Sequence, residues 1–249
     1  MDLGISGKRA IVSAGTAGLG FAAASALVAE GARVAICGRD VGRTRDAAER
    51  LGRGTVAFAC DLAVRDAPER FVRDAIDDLG GCDILVANAG GPPPGTFKST
   101  ELDAYRDALE LDCLSAIAMC RAAVPAMQAA GWGRVVAVTS IGAKQPIANL
   151  IASSVARAAL TSFLKITARE VAGDGVTVNN VCPGFHATNR LTGLHDDAGL
   201  ESLATTIPAR RLGDPADFGR VVAFLCSETA NYVTGTSIQI DGGAYAGLL

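Results

Sequence analysis

Short hydrophobic runs alternate along the chain with longer alanine-rich segments in which apolar positions recur at helical spacing. Strands are predicted at Arg9–Ser13 and Arg33–Cys37, and helical segments follow them at Ala22–Glu30 and Gly42–Leu51. Five further strands are predicted at Thr55–Ala59, Ile84–Asn88, Arg134–Thr139, Val176–Val181 and Ser237–Ile240. The pattern predicts one α/β domain over residues 1–249, a doubly wound parallel sheet of about seven strands with helices on both faces.

Two loops interrupt the alternation, and each follows a predicted strand. Gly90–Gly95 contains three prolines, which make it rigid, and residues 186–209 form an insertion of irregular pattern. Open α/β sheets bind ligands outside the carboxyl ends of their strands. We therefore expect both loops to border a ligand site, with residues 186–209 as the substrate loop.

Composition narrows the class of partner. The chain has 249 residues, 49% of them hydrophobic and 20% charged, and its net charge is −3. Proteins that bind nucleic acids concentrate Lys and Arg and usually run basic, so a small molecule is the expected partner. His195-Asp196-Asp197 has no second ligand pair at usable spacing, so we expect solvated charges there and no metal site.

Cysteine usage and hydropathy indicate the compartment. The seven cysteines are scattered and never spaced as C-x-x-C, which favours reduced thiols in the core. The first residues lack the pattern of a signal peptide, and no apolar run approaches the roughly 18 residues of a membrane span. These features predict a cytoplasmic protein without a membrane partner.

A glycine-rich turn lies between the first predicted strand and the first predicted helix. It reads Ser13-Ala14-Gly15-Thr16-Ala17-Gly18-Leu19-Gly20. Glycines let the backbone approach a pyrophosphate closely, and the helix N-terminus offers unpaired N–H groups and a positive dipole end. Asp61-Leu62 and Asn88-Ala89-Gly90 follow later strands, so the turn is better explained by dinucleotide binding than as an ordinary tight turn.

These segments together resemble the short-chain dehydrogenase/reductase family over nearly the whole chain, with its Rossmann-type fold. The matching positions are the glycine turn, Asp61, Asn88-Ala89-Gly90, Ser140, Pro183-Gly184 with Thr188, and Asp241-Gly242-Gly243. The resemblance implies that Asp61 holds the adenine, Asn88 stabilises the central strand beside the cofactor, and Thr188 holds the nicotinamide carboxamide. Ala14 replaces the first glycine of the family turn, and we expect Gly15 to compensate.

The end of the second strand bears on the choice of cofactor. Gly38 places no carboxylate there to bind ribose hydroxyls, and Arg39 places a guanidinium beside it. Arginine forks onto phosphate groups in bidentate fashion, which favours NADP(H) over NAD(H). Asp40 is adjacent and could weaken that preference, and a solvated surface arginine is the alternative interpretation of Arg39.

The proton donor implied by the resemblance is missing. Members of the family have a tyrosine thirteen positions after the serine and a lysine four positions later, and Ser153 and Arg157 stand there after Ser140. Asp112 stands where the family usually has asparagine. Serine is a far weaker acid than tyrosine, and a guanidinium holds its protons too firmly to exchange them easily. Arg157 is expected to keep the lysine's role of binding ribose hydroxyls.

Three side chains are candidates for the missing proton transfer. Lys144 ranks first because it follows Ser140 by four residues, and burial could bring its ammonium into a useful range. His186 follows Pro183-Gly184 and suits acid-base work near neutral pH. Asp112 could be a protonated stand-in for asparagine or half of a buried pair with Arg157, and the structural role is favoured. Lys144 and His186 could equally be solvated.

The resulting hypothesis is an NADP(H)-dependent carbonyl reductase or alcohol dehydrogenase. Ser140 would polarise the substrate oxygen, Arg157 would fix the ribose, and Lys144, His186 or water would deliver the proton. A redox-neutral dehydratase, isomerase or cyclase and a silent NADP(H)-binding protein are the alternatives. A homotetramer or homodimer is implied by the resemblance, with Met119–Gln128 and Ile151–Thr167 as the apolar helix faces that would pair.

Overall fold

A seven-stranded parallel sheet forms the centre of the molecule. The computed structural model describes residues 2–193 and 196–248. The strands within that part of the chain are β1 (Arg9–Val12), β2 (Arg33–Gly38), β3 (Val56–Ala59), β4 (Ile84–Ala87), β5 (Gly133–Val138), β6 (Val176–Pro183) and β7 (Ser237–Ile240). Their order in the sheet is β3-β2-β1-β4-β5-β6-β7. The predicted fold class and the number of strands are confirmed.

Helices cover both faces of the sheet. One layer contains α1 (Gly18–Ala29), α2 (Val41–Leu51) and α9 (Pro215–Leu225), and the other contains α3 (Ala67–Leu79), α4 (Leu102–Leu109), α5 (Ser115–Ala130) and α6 (Ile151–Val171). Neighbouring residues of a strand point to opposite faces. Ile11 and Leu85, which are paired in register, therefore pack on the α3, α5 and α6 side, and Val12 and Val86 pack on the α1 and α9 side.

The order of the strands reverses between β1 and β4. β1 pairs with β2 on one side and with β4 on the other, both in parallel. Connections from the two strands therefore leave in opposite directions and open a crevice at their carboxyl ends, where open α/β sheets bind ligands. The glycine turn after β1 and Asn88 after β4 meet at this crevice.

The insertion at residues 186–209 contains more regular structure than its sequence pattern predicted. It holds α7 (Asn189–Thr192) and α8 (Asp197–Thr206). Asp196 caps α8 by accepting a hydrogen bond from the Gly199 N–H at 2.9 Å. Small and polar residues obscure the helical period here, so the expectation of an irregular segment was wrong for these two helices. His195, named above as part of a possible metal cluster, lies outside the described residues.

One helix of the core is long and apolar. Leu102–Ala130 runs through α4, a π-helical turn at Glu110–Leu114 and α5 for 29 residues, and its most apolar window has a mean hydropathy of 1.3. Length and composition alone would let it cross a membrane. Inside the protein 44% of that window is buried, and core helices of soluble proteins pass the same test of length and composition, so this one helix is weak evidence for a span.

Candidate active site

The turn after β1 is tied to the end of β4 by reciprocal hydrogen bonds. The buried Ser13 hydroxyl donates to the Asn88 carbonyl at 2.6 Å, and the Asn88 N–H donates to Ser13 Oγ at 2.8 Å. The Asn88 side-chain amide reaches the carbonyls of Ser13 and Ala14 at 3.4 and 3.3 Å. Asn88 therefore holds the glycine turn through hydrogen bonds to Ser13 and Ala14.

Gly20 is glycine because two neighbours leave no room for a side chain. A Cβ there would lie 2.3 Å from the Ala14 carbonyl oxygen and 2.6 Å from the Asn88 side-chain nitrogen. The first turn of α1 therefore packs directly on the glycine turn. This close packing brings the N-terminus of α1 to the crevice between β1 and β4.

Ala14 lies in the glycine turn with a positive φ, which is unfavourable for a residue other than glycine. Its φ is +47°, the left-handed region in which a Cβ costs about 1–2 kcal/mol. The φ of Gly15 is not positive, so Gly15 does not share this conformation. Glycine at this position instead allows close packing of Ile36, whose Cγ2 is 2.8 Å from where a Cβ on Gly15 would be. The expectation that Gly15 compensates for Ala14 is therefore wrong.

The N-terminus of α1 has the features of an anion site. Its N-cap residue, Ala17, makes no side-chain capping bond, and the first turn contains no acidic residue. A helix N-terminus leaves several N–H groups without intrahelical partners and carries partial positive charge. Thr188 faces it, with Cγ2 3.6 Å from where a Cβ on Gly18 would lie. Backbone N–H groups without intrahelical partners therefore lie where a pyrophosphate would bind, with the Thr188 methyl group beside them.

An open groove gives access to this helix end. Its volume is about 800 Å³, and it runs from Thr16, Gly18 and Thr188 along the outside of α1 and α9, past Phe21 and Phe224. Arg50 lies over the Phe21 ring, 4.4 Å from its centroid. Solvent and small ligands can therefore reach the glycine turn and the N–H groups of α1 directly.

The end of β2 carries no carboxylate at Gly38 and has a cation next to it at Arg39. A Cβ on Gly38 would lie 2.4 Å from Thr16 Cγ2 and 2.7 Å from Thr44 Oγ1, so this position cannot hold a carboxylate without rearrangement. Arg39 is exposed. Asp40 caps α2 by accepting from the Arg43 N–H at 2.8 Å, which turns its carboxylate toward the helix.

The remaining predicted adenosine contacts lie at the ends of β3 and β4. Asp61 is half-buried and accepts a hydrogen bond from the Ala63 N–H at 3.1 Å, while Leu62 is buried. After Asn88, Ala89 packs against the core, and nothing lies within 4 Å of where a Cβ on Gly90 would be. The crevice is therefore open at Gly90.

Ser140 lies two residues beyond the end of β5 and begins a short turn of helix. Its hydroxyl is half-buried and accepts a hydrogen bond from the Gly142 N–H at 3.0 Å, as the N-cap of the 3₁₀ turn Ile141–Ala143. The Oγ–H remains available as a donor, which is what polarising a substrate oxygen requires. Ser140 thus lies at the carboxyl edge of the sheet in a defined orientation.

Arg157 is held by the end of β5. Its Nη1 donates to the carbonyls of Val138 and Thr139 at 3.0 and 2.8 Å, and its Nε donates to Ser153 Oγ at 3.1 Å. Its Nη2 donates to Asp112 Oδ1 at 3.1 Å. Arg157 therefore lies against Ser153 and against the carbonyl of Thr139, the residue before Ser140, and its guanidinium is engaged by the protein itself.

Asp112 and Arg157 form the buried pair that the sequence allowed. Asp112 lies in the π-helical turn and is 2% exposed. Burial raises the pKa of its carboxyl to about 6, against the opposing effect of Arg157 and Arg190. Asp112 Oδ2 has no hydrogen-bond partner in the described part of the chain. Asp112, Asn88 and Arg157 line the same small cavity.

The structure buries the His186 side chain against α9. The ring is 5% exposed and packs edge-on against Phe218, with centroids 5.4 Å apart. Its Nδ1 lies 3.2 Å from the Gly184 carbonyl, and Gly213 lies close against its other side. Burial lowers the pKa of His186, which favours the neutral ring. This packing contradicts the predicted role of His186 as an acid beside the nicotinamide.

Lys144 lies at the end of the turn that Ser140 begins. It is half-buried, and its Nζ is 4.9 Å from the centroid of the Tyr245 ring. The contact between Tyr245 and Lys144 was not predicted, because the two residues are far apart in the sequence. Asp241-Gly242-Gly243, which turns the chain after β7, is the sequence feature that could have found it.

The two loops expected to border the site meet each other. Arg190 at the start of α7 donates to the carbonyls of Gly91 and Pro92 at 2.9 and 3.2 Å.

Pro183 ends β6, and Gly184 lies against Asp241, whose Cα is 2.9 Å from where a Cβ on Gly184 would be. In the residues that the structure describes, no group of three potential metal ligands comes together.

The sheet order, the glycine turn at its switch point and the open N-terminus of α1 define a Rossmann-type α/β protein. A family model described as "Enoyl-(Acyl carrier protein) reductase" matches residues 13–245. The chain is 35% identical over 245 residues to dehydrogenase/reductase SDR family member 4 of Oryctolagus cuniculus, covering 96% of this chain and 94% of the relative. The chain belongs to the short-chain dehydrogenase/reductase family.

A bacterial relative and a solved structure agree with this assignment. The chain is 32% identical over 243 residues to 3-oxoacyl-[acyl-carrier-protein] reductase FabG of Vibrio cholerae, covering 98% of this chain and 99% of the relative. It is 33% identical to L-sorbose reductase from Gluconobacter frateurii, solved in complex with NADPH and L-sorbose, with a TM-score of 0.92 and 100% coverage of both chains. The predicted family is confirmed, and the predicted cofactor agrees with that complex.

Proposed function

We propose that this protein is an NADP(H)-dependent oxidoreductase that interconverts a carbonyl compound and its alcohol, with a non-standard proton donor. The observation that carries the proposal is the uncapped N-terminus of α1 beneath Thr188, packed onto the turn that Ser13 and Asn88 fix. Its relatives include reductases, and one of them was solved with NADPH. The proposed substrate is a small molecule, and the proposed location is the cytoplasm.

The chain's own groups fit such a cofactor along the whole crevice. The N–H groups at Gly18, Leu19 and Gly20 would hold the pyrophosphate, since the helix offers no side chain to satisfy them. Arg39 would bind the 2′-phosphate at the end of β2, and Asp61 with Leu62 would border the adenine. Thr188 and Pro183-Gly184 would border the nicotinamide. When bound, the reduced cofactor supplies a hydride to the substrate.

Ser140 would orient the substrate in this scheme. Its Oγ accepts the Gly142 N–H, so its own proton points away from that bond and can be donated to a carbonyl oxygen. Such a hydrogen bond stabilises the negative charge that develops on the oxygen as the carbonyl carbon is reduced. Arg157 would act from behind, by holding the carbonyls of Val138 and Thr139 and thereby the position of the strand end.

The hydrogen bonds that Arg157 makes within the protein also favour a second candidate function. Four hydrogen bonds engage its Nε, Nη1 and Nη2 within the protein, which leaves little of the guanidinium for ribose hydroxyls. A protein that binds NADP(H) without hydride transfer, either silent or redox-neutral, would tolerate this arrangement. The experiment below distinguishes it from the oxidoreductase.

Binding and turnover can be measured on the same sample. Fluorescence titration with NADPH and NADH should show preference for NADPH, because Arg39 is exposed and Gly38 provides no carboxylate. Adding a panel of ketones, aldehydes and imines should then oxidise the bound NADPH. Binding without oxidation by any member of the panel would replace the oxidoreductase with the silent or redox-neutral candidate. Preference for NADH would overturn the cofactor assignment.

A further inference from the structure

Arg190 ties the loop after β6 to the loop after β4. Its Nη1 donates to the Gly91 carbonyl at 2.9 Å, and its Nη2 donates to the Pro92 carbonyl at 3.2 Å. The guanidinium also packs on Gly91, because a Cβ there would lie 2.9 Å from Nη1, 3.0 Å from Nη2 and 3.1 Å from Cζ. Pro92 begins a run of three prolines, whose fixed φ angles restrain this backbone. Arg190 therefore binds a stiff partner through two hydrogen bonds and a close contact.

The short segment around Arg190 crosses the crevice between β1 and β4. At its start, Thr188 Cγ2 lies 3.6 Å from where a Cβ on Gly18 would be, and Gly18 begins the helix that follows β1. Two residues later, Arg190 contacts Gly91 in the loop that follows β4. Residues 188–192, which we call the strap, thus extend from the β1 side of the switch point to the β4 side.

The strap is one local unit that the core holds at only one end. The N–H groups of Leu191 and Thr192 donate to the Thr188 carbonyl at 2.9 and 3.0 Å, so these residues move together. Just before the strap, the Ala187 N–H donates to the Gly213 carbonyl at 2.9 Å, which anchors that end. Residues 188–192 themselves are half-buried or exposed. Segments with few buried contacts open locally at low free energy, so the bonds of Arg190 decide whether the strap is closed.

Arg190 closes the inner side of the crevice and leaves the outer side open. The groove along α1 and α9 reaches the strap at Thr188, so solvent still has access to the N-terminus of α1. Burial raises the pKa of Asp112, and the charges of Arg157 and then Arg190 oppose that effect. Arg190 is therefore close enough to Asp112 to act on it electrostatically, on the side of the crevice away from the groove.

We propose that Arg190 is a positioning residue that holds the strap closed over the nicotinamide end of the crevice, and that NADP(H) enters and leaves this end only when the bonds to Gly91 and Pro92 break. The inference rests on the proposed function, because it requires the crevice to bind this cofactor. In the sheet order, the ends of β2 and β3, with Arg39 and Asp61, lie on the other side of β1 from Gly91. The adenosine end therefore binds without opening the strap, and the nicotinamide end follows when the strap opens.

The first test is Arg190→Ala, with NADPH association and dissociation followed by stopped-flow fluorescence of the nicotinamide. We expect both rate constants to rise by about 10-fold, because hydrogen bonds from a charged group are worth about a factor of ten or more. The dissociation constant should change little, because the same bonds close the strap before and after binding. A residue that contacted the cofactor directly would instead raise only the dissociation rate constant and weaken binding.

Two further variants test the contact without removing the positive charge. Gly91→Ala places a Cβ 2.9 Å from Arg190 Nη1, so the guanidinium must move away, and both rate constants should rise as in Arg190→Ala. Arg190→Lys should give intermediate rate constants, because an ammonium can still donate to a carbonyl but has no planar fork. Arg211→Ala is the control, because Arg211 is exposed and donates only to the adjacent Leu212 carbonyl among the described residues. It should leave both rate constants unchanged.

A fragment of the cofactor separates the strap from general electrostatics. Adenosine 2′,5′-bisphosphate carries the adenosine end and lacks the nicotinamide, so its dissociation constant, measured by calorimetry, should be equal in the wild-type protein and in Arg190→Ala. If Arg190→Ala weakens binding of this fragment as much as binding of NADPH, Arg190 acts through its charge and the strap is overturned.

The outcomes distinguish the strap from the proposed function. If the wild-type protein binds neither NADPH nor the fragment, the cofactor assignment is overturned and the strap with it. If the wild-type protein binds NADPH and both Arg190→Ala and Gly91→Ala leave its rate constants unchanged, only the strap is overturned. A rise of the dissociation rate constant alone in Arg190→Ala, with no effect of Gly91→Ala, would also overturn the strap.

Discussion

Ala14 stores backbone strain at the tightest bend of the nucleotide turn. Its φ of +47° suits glycine, which pays no Cβ penalty in the left-handed region. We expect Ala14→Gly to raise the free energy of unfolding by about 1 kcal/mol, measured by urea denaturation. Ala26→Gly within α1 is the control and should lower it by about 0.5–1 kcal/mol. A loss of stability in Ala14→Gly would contradict strain at this residue.

Asp112 makes stability depend on pH between about 4 and 6. Its folded pKa of about 6 exceeds the ordinary value of 3.8, so the folded protein binds the proton more tightly than the unfolded chain. The stabilisation is complete below about pH 4 and is lost as pH rises through 6, by about 3 kcal/mol at most. We expect Asp112→Asn to remove this loss, measured by urea unfolding between pH 4 and pH 8.

Asp83 provides a control of opposite sign for that experiment. Burial alone would raise the pKa of Asp83, but hydrogen bonds from Arg9 outweigh it and hold the pKa below its ordinary value. The stability from this pair is present above the ordinary pKa and is lost in acid. Asp83→Asn should therefore lose stability most above pH 4. If Asp112→Asn shows the same pH dependence as the wild-type protein, the carboxyl of Asp112 is not the cause.

At the scale of elements, we expect the junction of β2 with α2 to set the choice of cofactor. Asp40 is occupied as the cap of α2, so its charge is directed away from the place where Arg39 would meet a phosphate. We expect Arg39→Ala to weaken NADPH binding by about 10- to 100-fold and to leave NADH binding unchanged, because a charged hydrogen bond contributes about 1.5–3 kcal/mol. Fluorescence titration with both cofactors measures this.

The neighbouring helix offers a matched variant. Arg43 is also exposed, and its Nε lies 3.8 Å from Asp40 Oδ1, within the first turn of α2. Arg43→Ala removes the same charge from the same surface and should change the two affinities equally. If Arg39→Ala weakens the affinities for NADPH and NADH equally, Arg39 contributes only to the overall electrostatic attraction of the cofactor and makes no specific contact with the 2′-phosphate.

The elements that sequence could predict are those with strong local patterns. All seven strands were predicted, and the signal is strongest in the inner strands, which are buried on both faces and are continuous apolar runs, as in Val135–Val138. The helices at Asn189–Thr192 and Asp197–Thr206 were missed because their sequences are short and polar. The start of α1 at Gly18 instead of Ala22 reflects packing, since glycines here serve close approach and give no helical pattern.

The site was predictable where adjacent residues define it and unpredictable where distant ones meet. Ser153 and Arg157 meet because they are one helical turn apart, and Arg157 reaches the carbonyl of Thr139, which precedes Ser140. The burial of His186 under Phe218 and the arrival of Tyr245 beside Lys144 depend on segments joined only by tertiary structure. Spacing within one segment carries no information about such contacts.

At the scale of the whole molecule, α6 presents an exposed apolar stripe. Val155 and Ile166 are 46% and 57% exposed, and Ala159 and Ser162 lie between them on the same face. On α5, by contrast, Met119 and Met127 are fully buried in the core, so the predicted face at Met119–Gln128 is turned inward. We therefore place the predicted subunit contact on α6.

A charge in the middle of this stripe should separate the subunits. We expect the wild-type protein to sediment as a dimer or tetramer and Ala159→Arg to sediment as a smaller species, because an unpaired buried charge costs several kcal/mol in an interface. Ala63→Arg, at an exposed position near β3, is the control and should leave the mass unchanged. A monomeric wild-type protein would contradict the assembly.

The bonds between Ser13 and Asn88 join residues 75 positions apart in the chain. Because every strand pairing is parallel and the sheet is completed across β1 and β4, loop closure must precede most of the stabilising contacts, which makes folding slow. The nucleotide turn acquires its shape only when this long loop closes. A ligand that recognises the turn therefore binds only the folded protein. At a ligand concentration of 100 times the dissociation constant, it would raise the free energy of unfolding by about 2.7 kcal/mol.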